Sequence, residues 1–529
     1  MVALFGRLLR ALREGKGPAK KGWGRGDSFP GEAGRPLAKS LEGKLGQIQR
    51  ILANCDDVVY RRCQVLSRPA VLVYVDGLTD KKTLEQHVLK PLANPAGAGE
   101  GRAGAGITDF IFVTLSAHRV KETRYLDAAV AGLLEGEALL LVDGATSAYL
   151  IDARGFPKRN VEDAKNEMVV RGPRESFTET LTDNVALARR YVKDQRLKVR
   201  IKQVGSRTHT HVAVLFLEDL ASPDLVQEVF RRLEAISLEG VLESHYLEEL
   251  MRDHPWTPFP LLLNTERPDK VAGALLEGRI VLLTDRTPNA LIVPSTFFDF
   301  FQTSEDYHYI FPVGTFFRWL RYLASLVTVF LPGIYIALLQ VNPELFPTSL
   351  AMSVSGSRQG VPFTGWMELL LMDVTMEIFR EATVRLPGTI GPSVGIVGGL
   401  VLGTAAVEAG LVSNIVVIIV AGTAISSFSV PSYTLASAFR LMRYFILIWS
   451  GLFGIFGLVI GFILVQLHLV HLHSFGVPYF TPLGPTRPGD FRDTLWRSPL
   501  WSFKRRPSFA ASPRPRRLVQ TWREDDEYE

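Results

Sequence analysis

The chain has 529 residues, a formal net charge of +5 and a mean hydropathy of +0.14. This length predicts about three structural units, and the apolar content indicates that one of them lies in a membrane. The two cysteines, Cys55 and Cys63, exclude a disulfide-stapled scaffold, because eight residues apart they would lie ~80° from one another on a helix. Two thiols fit a reducing compartment. We expect no secretory signal, because Arg7 and Arg10 split the apolar residues of Val2–Leu12 and no cleavage site follows.

Both ends of the chain differ in composition from the middle. Residues 1–40 are basic and glycine-rich, and they are predicted to be disordered. Residues 474–529 form a C-terminal tail that is predicted to be partly disordered, basic over 487–523 and acidic from Glu524 onwards. Two interpretations of the basic ends remain open: contact with anionic lipid, or solvated tails.

Residues 41–160 are predicted to form a first small α/β subdomain. Helical spacing, apolar runs and turn residues indicate the elements. They are a helix over 41–64, a buried strand over Ala70–Val75, a helix over Lys81–Leu92 with Thr79 as its N-cap, a flexible loop over Asn94–Gly106 and a hairpin over 138–151. Asp143-Gly144 is predicted to turn that hairpin.

Residues 161–312 are predicted to form a second α/β subdomain. Its elements are a helix over Asn184–Val192, strands over Lys198–Val204 and His211–Leu217, a helix over Pro223–Leu233, and a hairpin of Arg279–Thr284 with Ala290–Pro294. Both units contain a hairpin of two apolar runs around an aspartate turn, which suggests two structurally related subdomains. The fold class is an α+β soluble N-terminal region followed by an α-helical transmembrane domain of about five helices.

The transmembrane domain is predicted over residues 313–473. Apolar runs at 319–341, about 394–411, 413–430 and 444–467 are the spans expected from hydropathy. The first is long enough to cross a hydrocarbon core of roughly 30 Å.

A predominantly apolar but charged helix is predicted over 366–386. Asp373, Glu377, Arg380 and Glu381 follow one another at i, i+4, i+7 and i+8, which predicts one polar face. Three locations remain open. The helix lies in the membrane interface, packs in a bundle with its charges paired as Glu377–Arg380 or Glu381–Arg385, or lines a water-filled path.

The same charged face is the candidate functional site. Asp373, Glu377, Arg380 and Glu381 are predicted to form a polar seam or pore. Val374 and Ile378 are predicted to supply an apolar constriction.

Arginine pairs predict the topology. The positive-inside rule places Arg318/Arg321, Arg380/Arg385 and Arg440/Arg443 on the cytoplasmic side. If the charged helix crosses, there are five spans and the C-terminus lies outside. If it does not, there are four spans and both ends lie on one side. The charge rule favours five.

Small residues fill the span that follows the charged helix. Gly395, Gly399 and Gly403 form two consecutive GxxxG pairs, which permit close helix contact. Tight packing within one chain and an oligomeric interface both remain open. Glu408 would be costly in lipid and is expected to face protein or water.

Segments along most of the chain resemble one family, the A subunits of the GerA-type spore germinant receptors of endospore-forming bacteria. The matching segments are Tyr74–Thr83, His87–Pro91, Arg171–Glu179, Val204–Val214, Thr265–Val271, Leu275–Arg279, Ser357–Phe363, Arg380–Ala382, Arg385–Pro387, Ala405–Ser413, Val477–Tyr479, Asp493–Leu495 and Pro499–Trp501. The resemblance covers about 55–505.

The resemblance implies a nutrient-receptor subunit in the spore inner membrane with a cytoplasmic N-terminal domain. It implies a transporter-like B subunit and a lipoprotein C subunit as partners, besides membrane lipid. It also implies a homo-oligomer, with a pentamer as one arrangement, that forms or gates a path for monovalent cations. A non-conducting scaffold that relays the signal for a nutrient-binding partner is the alternative.

Other chemistry is not predicted. Three histidines follow the end of the last apolar run: His468, His471 and His473. Because the sequence supplies no carboxylate or cysteine partner for them, a position at the membrane interface is favoured over a metal site. The sequence contains no convincing nucleophile–base set or phosphate-binding loop. We therefore expect no enzyme activity, no cofactor, no metal and no nucleic-acid partner.

Overall fold

The computed structural model describes residues 34–66, 68–93, 107–115, 119–155, 167, 171–345, 347–385 and 403–517. Several predictions fall outside these residues. They concern the N-terminal segment up to residue 33, the loop Asn94–Gly106, Gly395, Gly399 and the acidic end of the tail.

Strands and helices alternate in the soluble part of the chain. Its strands are β1 (Val58–Val65), β2 (Arg68–Val75), β3 (Val120–Thr123), β4 (Ala138–Val142), β5 (Ala148–Ile151), β6 (Leu197–Val204), β7 (Thr210–Leu217), β8 (Leu263–Thr265), β9 (Ile280–Thr284) and β10 (Ala290–Val293). Its helices are α1 (Leu41–Ile51), α2 (Lys81–Thr83, Leu84–Leu89 and Lys90–Ala93 in succession), α3 (Ile107–Thr114), α4 (Leu126–Leu134), α5 (Leu181–Tyr191), α6 (Pro223–Ala235), α7 (Ser244–Met251) and α8 (Pro268–Glu277).

Two antiparallel sheets share one topology. The first has the strand order β1-β2-β4-β5-β3 and the second the order β6-β7-β9-β10-β8. If the five strands of each sheet are numbered along the chain, both orders read 1-2-4-5-3. This agrees with the idea of two related units. The boundary at residue 160 lies in the undescribed stretch 156–166 and stays a prediction.

Helices cover both faces of the first sheet. One face packs against α1 and α4, for example through Ile48 and Leu133, and the other against α2 and α3 through Val88 and Ile111. The core of the second sheet continues without a break into the apolar helices that follow, since one cluster of buried residues contains both Val214 of β7 and Phe439. Apolar packing therefore attaches the soluble part to those helices.

A buried ion pair joins the two sheets. Arg189 of α5 donates from Nη2 to Asp57 Oδ1 at 2.8 Å, and both side chains are buried. Beside it, Asp56 N donates to the carbonyl of Val199 in β6 at 2.8 Å. The segment that leads into β1 thus extends the contact with the second sheet.

Two local predictions in this part are wrong. The helix predicted over 41–64 ends at Ile51, and Val58–Val65 is a strand, because β-branched residues there pair in register with β2. The N-cap of α2 is Asp80, whose carboxylate accepts from Lys82 N at 2.9 Å, whereas the Thr79 hydroxyl donates to Gly136 O.

The apolar helices form a bundle below the second sheet. They are α9 (Phe311–Ile336, continued by Ala337–Val341), α10 (Thr348–Ser357), α11 (Gly365–Val384), α12 (Asn414–Phe428) and α13 (Tyr433–His471). By length and composition, α9 with its continuation and α13 could each cross a membrane, and α12 is apolar but shorter. The predicted count of five spans is not confirmed.

Helix α13 reverses at Gly454. This residue has φ +62° and ψ −136°, outside the helical region. Beyond it, Gly461 lies against Ile446 and Trp449, and a Cβ on Gly457 would overlap the Trp449 carbonyl. Residues 433–453 and 455–471 are therefore two antiparallel limbs, and the expected single span over 444–467 is wrong. A left-handed glycine inside an apolar run is the physical reason.

We call the end of the bundle beside the soluble part the near end, and the opposite end the far end. At the near end, Phe439 of α13 contacts Phe297 and Phe301 at ring distances of 6.2 and 6.1 Å. At the far end, Asn342 Oδ1 accepts from Ile455 N at 3.1 Å, beside the Gly454 turn. Helix α9 and the first limb of α13 thus run away from the soluble part, and the second limb returns.

The tail folds back onto the soluble part at the near end. Asp493 Oδ1 pairs with Arg318 Nη1 at 3.1 Å, and its Oδ2 accepts from Tyr307 at 2.6 Å. Farther along, Arg517 pairs with Glu277 of α8 at 3.0 Å. These contacts contradict the five-span scheme, in which a membrane separates the tail from the soluble domain.

Labelling of single cysteines tests this arrangement. In a chain with Cys55 and Cys63 replaced by alanine, we introduce Gly489→Cys in the tail, Arg61→Cys in β1 and Gly356→Cys in α10. A Cβ added to either glycine would have no heavy atom within 4 Å, so both positions accept the side chain. In sealed vesicles, an impermeant maleimide should label positions 489 and 61 from the same side.

Position 356 is the control in this experiment, because α10 follows the far end of α9. It should react from the opposite side. Labelling of position 489 together with 356, rather than with 61, would contradict the fold.

Candidate functional site

Helix α11 carries the predicted charged residues. Thr364 caps its start, with its hydroxyl accepting from Met367 N at 3.5 Å, and the helix continues to Val384. Trp366 lies against Gly451 near the turn of α13, whereas Arg380 lies over Phe428 at the end of α12. The helix therefore runs from the far end to the near end.

Two carboxylates of α11 pair with two arginines of α13. Asp373 Oδ2 lies 2.9 Å from Arg443 Nη2. Glu377 Oε1 lies 3.1 Å from Arg440 Nε, and its Oε2 lies 3.4 Å from Arg380 Nη1 and 3.9 Å from Arg443 Nη2. We call these five residues the ionic seam. Both carboxylates and Arg380 lie on α11, and the other two arginines lie on the first limb of α13. Each carboxylate therefore has an arginine of the facing helix beside it.

Burial makes the seam costly to break. The side chains of Asp373 and Arg443 are 4% and 2% exposed, whereas Glu377 is 35% exposed. In such surroundings neither ion of a pair can be removed without leaving an uncompensated charge, which costs about 3–5 kcal/mol. Arg380 also donates to Ser427 Oγ at 3.2 Å, so α12 closes the third side of the seam.

A second ion pair holds the far end of α11. Glu368 is fully buried and lies 3.2 Å from Arg358 Nε, which follows α10. Its Oε2 accepts from both N and Oγ of Ser413, at 2.9 and 2.7 Å, immediately before α12. Ion pairs thus fix α11 at both ends.

Another face of α11 has no partner within the described chain. Met367, Leu371, Val374 and Ile378 follow at spacings of four, three and four residues, and all are exposed. Glu381 and Arg385 continue the same stripe and pair with each other at 2.5 Å. We call these six residues the open face of α11.

The structure therefore divides the predicted site. Asp373, Glu377 and Arg380 lie together in the seam, whereas Glu381 is exposed beside Val374 and Ile378 on the open face. The prediction that all four charges share one face is wrong for Glu381, because i+8 falls ~80° around the helix from i. A role of these residues in a pore stays a prediction.

Sequence reasoning missed several residues of the site. The positive-inside rule places Arg440 and Arg443 only at the membrane boundary, whereas the structure makes them the counterions of Glu377 and Asp373. Glu368 was also missed. A carboxylate among Leu369, Leu370 and Leu371 was the available signal, because an acidic residue in an apolar helix requires a partner.

Two predicted packing residues are described. Gly403 lies in a helical stretch over 403–408, and a Cβ there would contact Val417 of α12 at 3.6 Å. Glu408 is exposed. Gly403 thus faces a helix of the same chain, and an oligomeric role for it stays a prediction.

Histidines gather at the near end. The rings of His254, His471 and His473 lie 5.7 to 6.4 Å apart, and His468 Nε2 is 2.9 Å from Thr257 Oγ1. Among the described residues, no group of three or more histidines, cysteines and carboxylates has metal-binding geometry.

Comparisons with known proteins agree on one family. The family model described as "Bacillus/Clostridium GerA spore germination protein" matches residues 46–509. The uncharacterized membrane protein YfkQ of Bacillus subtilis is 37% identical over 89% of this chain and 92% of its own. Spore germination protein KA of Bacillus subtilis is 37% identical over 89% and 87%. A crystal structure of the N-terminal domain of the A subunit of the Bacillus megaterium spore germinant receptor GerK3 is 29% identical, covers 50% of this chain and 99% of that chain, and has a TM-score of 0.40.

Substitution of Asp373 tests the seam. Asp373→Ala leaves Arg443 buried without its closest counterion, so we expect the free energy of unfolding in detergent to fall by about 3–5 kcal/mol. The matched control is Glu381→Ala in the same helix. Its pair with Arg385 is exposed on both sides, and we expect a loss below ~1 kcal/mol. Equal losses in the two variants would contradict the seam.

Proposed function

Because the chain belongs to the Bacillus/Clostridium GerA spore germination protein family, we propose that it is a membrane-embedded germinant-receptor A subunit. In this proposal several copies surround a path for monovalent cations and gate it in response to nutrient. The observation that supports it most is the open face of α11, an exposed stripe that is held in place by buried ion pairs on the other side of the helix.

A membrane location is the first step of the proposal. Two apolar helical stretches, Phe311–Val341 and Tyr433–His471, are long enough to cross, the second as two antiparallel limbs, and a relative is named a membrane protein. Since the tail contacts the soluble part, the chain crosses an even number of times. The arginines of the seam and Arg318 all lie toward the near end, which the positive-inside rule makes cytoplasmic.

The open face is suited to line an axis between copies. After Met367 at its far end, the face presents Leu371, Val374 and Ile378 on successive turns, and a ring of such side chains forms a hydrophobic constriction that conducts only when it is wetted. One turn nearer to the soluble domain, Glu381 pairs with Arg385 on the same face. A ring of Glu381 released from these exposed pairs would attract cations. The stripe therefore has the order of an apolar gate followed by a charged mouth that contains Glu381 and Arg385.

The seam supplies the link to the soluble domain. Arg440 follows Phe439 directly on α13, and Arg443 lies about one turn later. Phe439 packs against Phe297 and Phe301 at the base of the second sheet. A shift of that sheet would move the first limb of α13, and the ion pairs would carry the shift to α11. A transporter-like B subunit and a lipoprotein C subunit would supply the nutrient signal.

One observation favours the alternative of a non-conducting scaffold. Asp373, Glu377 and Arg380 are all paired within the chain, so the seam offers no free charge to a passing ion. In that case the open face would contact lipid or a partner helix, and the receptor's ion path would lie in another subunit.

Matched isoleucine substitutions separate these two functions. Ile378 on the open face and Ile425 on α12 are 67% and 68% exposed. We expect Ile378→Ser to raise the basal efflux of monovalent cations from vesicles that contain this chain with its partner subunits, because a polar ring wets the constriction. Ile425→Ser should leave basal and nutrient-triggered efflux at the wild-type level.

The charge at the mouth gives a second readout. Glu381→Gln should reduce the preference for cations over anions during triggered efflux, without loss of assembly. If Ile378→Ser and Glu381→Gln both leave the flux unchanged while triggered efflux persists, the scaffold is the correct function.

A further inference from the structure

Every tryptophan in the described part of the chain lies at one of the two ends of the bundle. At the far end, Trp366 lies against Gly451, and the ring centroids of Trp449 and Phe453 are 5.7 Å apart. At the near end lie Trp256, Trp319, Trp496 and Trp501, all exposed. Tryptophan is enriched at both membrane–water interfaces, so this distribution marks two lipid headgroup levels.

The length of the bundle fits a bilayer. Trp319 and Val341, which lies against the Gly454 turn at the far end, are separated along one helix by 22 residues, which at 1.5 Å per residue is about 33 Å. A hydrocarbon core is about 30 Å thick. The turns of α9 before Trp319, with exposed Ile310 and Phe316, therefore lie in the headgroup layer on the side of the soluble domain.

The C-terminal tail lies at the same level. Trp319 Nε1 donates to Leu495 O at 2.8 Å, and the ring of Trp501 contacts that of Phe311 at 6.1 Å. Leu500 beside it is exposed. A short turn of the tail, Leu500–Ser502, thus presents apolar side chains next to the start of α9 instead of burying them.

Basic side chains flank that turn. Arg492, Lys504 and Arg505 are exposed, and Arg492 donates from Nη1 to Ser502 O at 3.3 Å. Among the described residues, neither Arg492 nor Arg505 has a carboxylate within ion-pair distance. Aromatic side chains with neighbouring cationic groups are the combination that anionic lipid surfaces attract.

We propose that tail residues 492–505, with the first turns of α9, form a binding surface for anionic lipid headgroups. Trp496 and Trp501 insert at the headgroup level, and Arg492 and Arg505 contact lipid phosphates. The surface holds the tail, and through Asp493 and Arg318 the base of the soluble domain, against the bilayer. This inference rests on the membrane location in the proposed function, but not on cation conduction.

Fluorescence quenching by brominated lipids tests it. The full chain is placed in phosphatidylcholine nanodiscs that contain rising fractions of either brominated phosphatidylglycerol or brominated phosphatidylcholine. The difference in emission between wild type and Trp496→Phe/Trp501→Phe isolates the two tail tryptophans. We expect their half-quenching at a lower fraction of the anionic lipid than of the zwitterionic lipid.

Paired arginine substitutions show which charges create the preference. In the Arg492→Gln/Arg505→Gln variant, half-quenching should occur at the same fraction of brominated phosphatidylglycerol as of brominated phosphatidylcholine. The matched control Arg61→Gln/Arg62→Gln removes two exposed charges from β1 and should keep the difference. Equal fractions in wild type, or a preference that survives in the Arg492/Arg505 variant, would overturn the proposal.

Trp366 distinguishes failure of this site from failure of the membrane location. If Trp366, isolated by Trp366→Phe, is quenched while the tail tryptophans are not, the lipid surface is wrong and the membrane location holds. If none of these tryptophans is quenched, the membrane location itself fails. Nutrient and partner subunits are absent from this experiment, so its result does not depend on the cation path.

Discussion

The buried ion pair between Asp373 and Arg443 determines how the bundle presents its surface. A charge pair with almost no exposure is stable only if both partners keep their geometry, because an unpaired ion in an apolar bundle costs several kcal/mol. The pair continues toward the soluble domain through Glu377, Arg440 and Arg380. At the far end, a second ion pair joins the buried Glu368 to Arg358. One side of α11 is thereby fixed, and the other side is left exposed. The proposed gate depends on that asymmetry.

The near end of the bundle is where the three parts of the chain meet. Asp306 of the soluble part lies 3.0 Å from Arg318 of α9, which also pairs with Asp493 of the tail. Phe439 enters the aromatic cluster under the second sheet within one turn of Arg440 and Arg443. In the proposed function, this packing is the contact through which a displacement of the soluble domain would reach the seam. The tail contacts the soluble part and α9 at this same level, through Tyr307 and Arg318.

Much of the soluble fold could be predicted from the sequence. Apolar runs at Ala70–Val75 and His211–Leu217 lie within strands of nearly the same extent, because buried strands carry a continuous apolar signal. The strand over Val58–Val65 was missed because only its pairing with β2 separates it from a helix. A hydropathy profile contains no information on backbone dihedral angles, so it does not predict the reversal at Gly454. The available signal was a row of glycines at spacings of three and four residues, Gly451, Gly454, Gly457 and Gly461. Local spacing predicts the Glu377–Arg380 pair within α11, which the structure contains. It could not reveal the partners of Asp373 and Glu377 on α13, because Arg443 and Arg440 lie more than 60 residues away.

A double-mutant cycle on Asp373 and Arg443 tests the central claim most directly. The free energy of unfolding of the full chain is measured in detergent for wild type, Asp373→Ala, Arg443→Ala and the double variant. If the pair holds α11, the free energy of unfolding falls by about 3–5 kcal/mol in each single variant. The double variant should then be at least as stable as the less stable of the two single variants, because it leaves no buried charge without its partner. Losses that simply add in the double variant would show that the two residues act independently, and they would contradict the account.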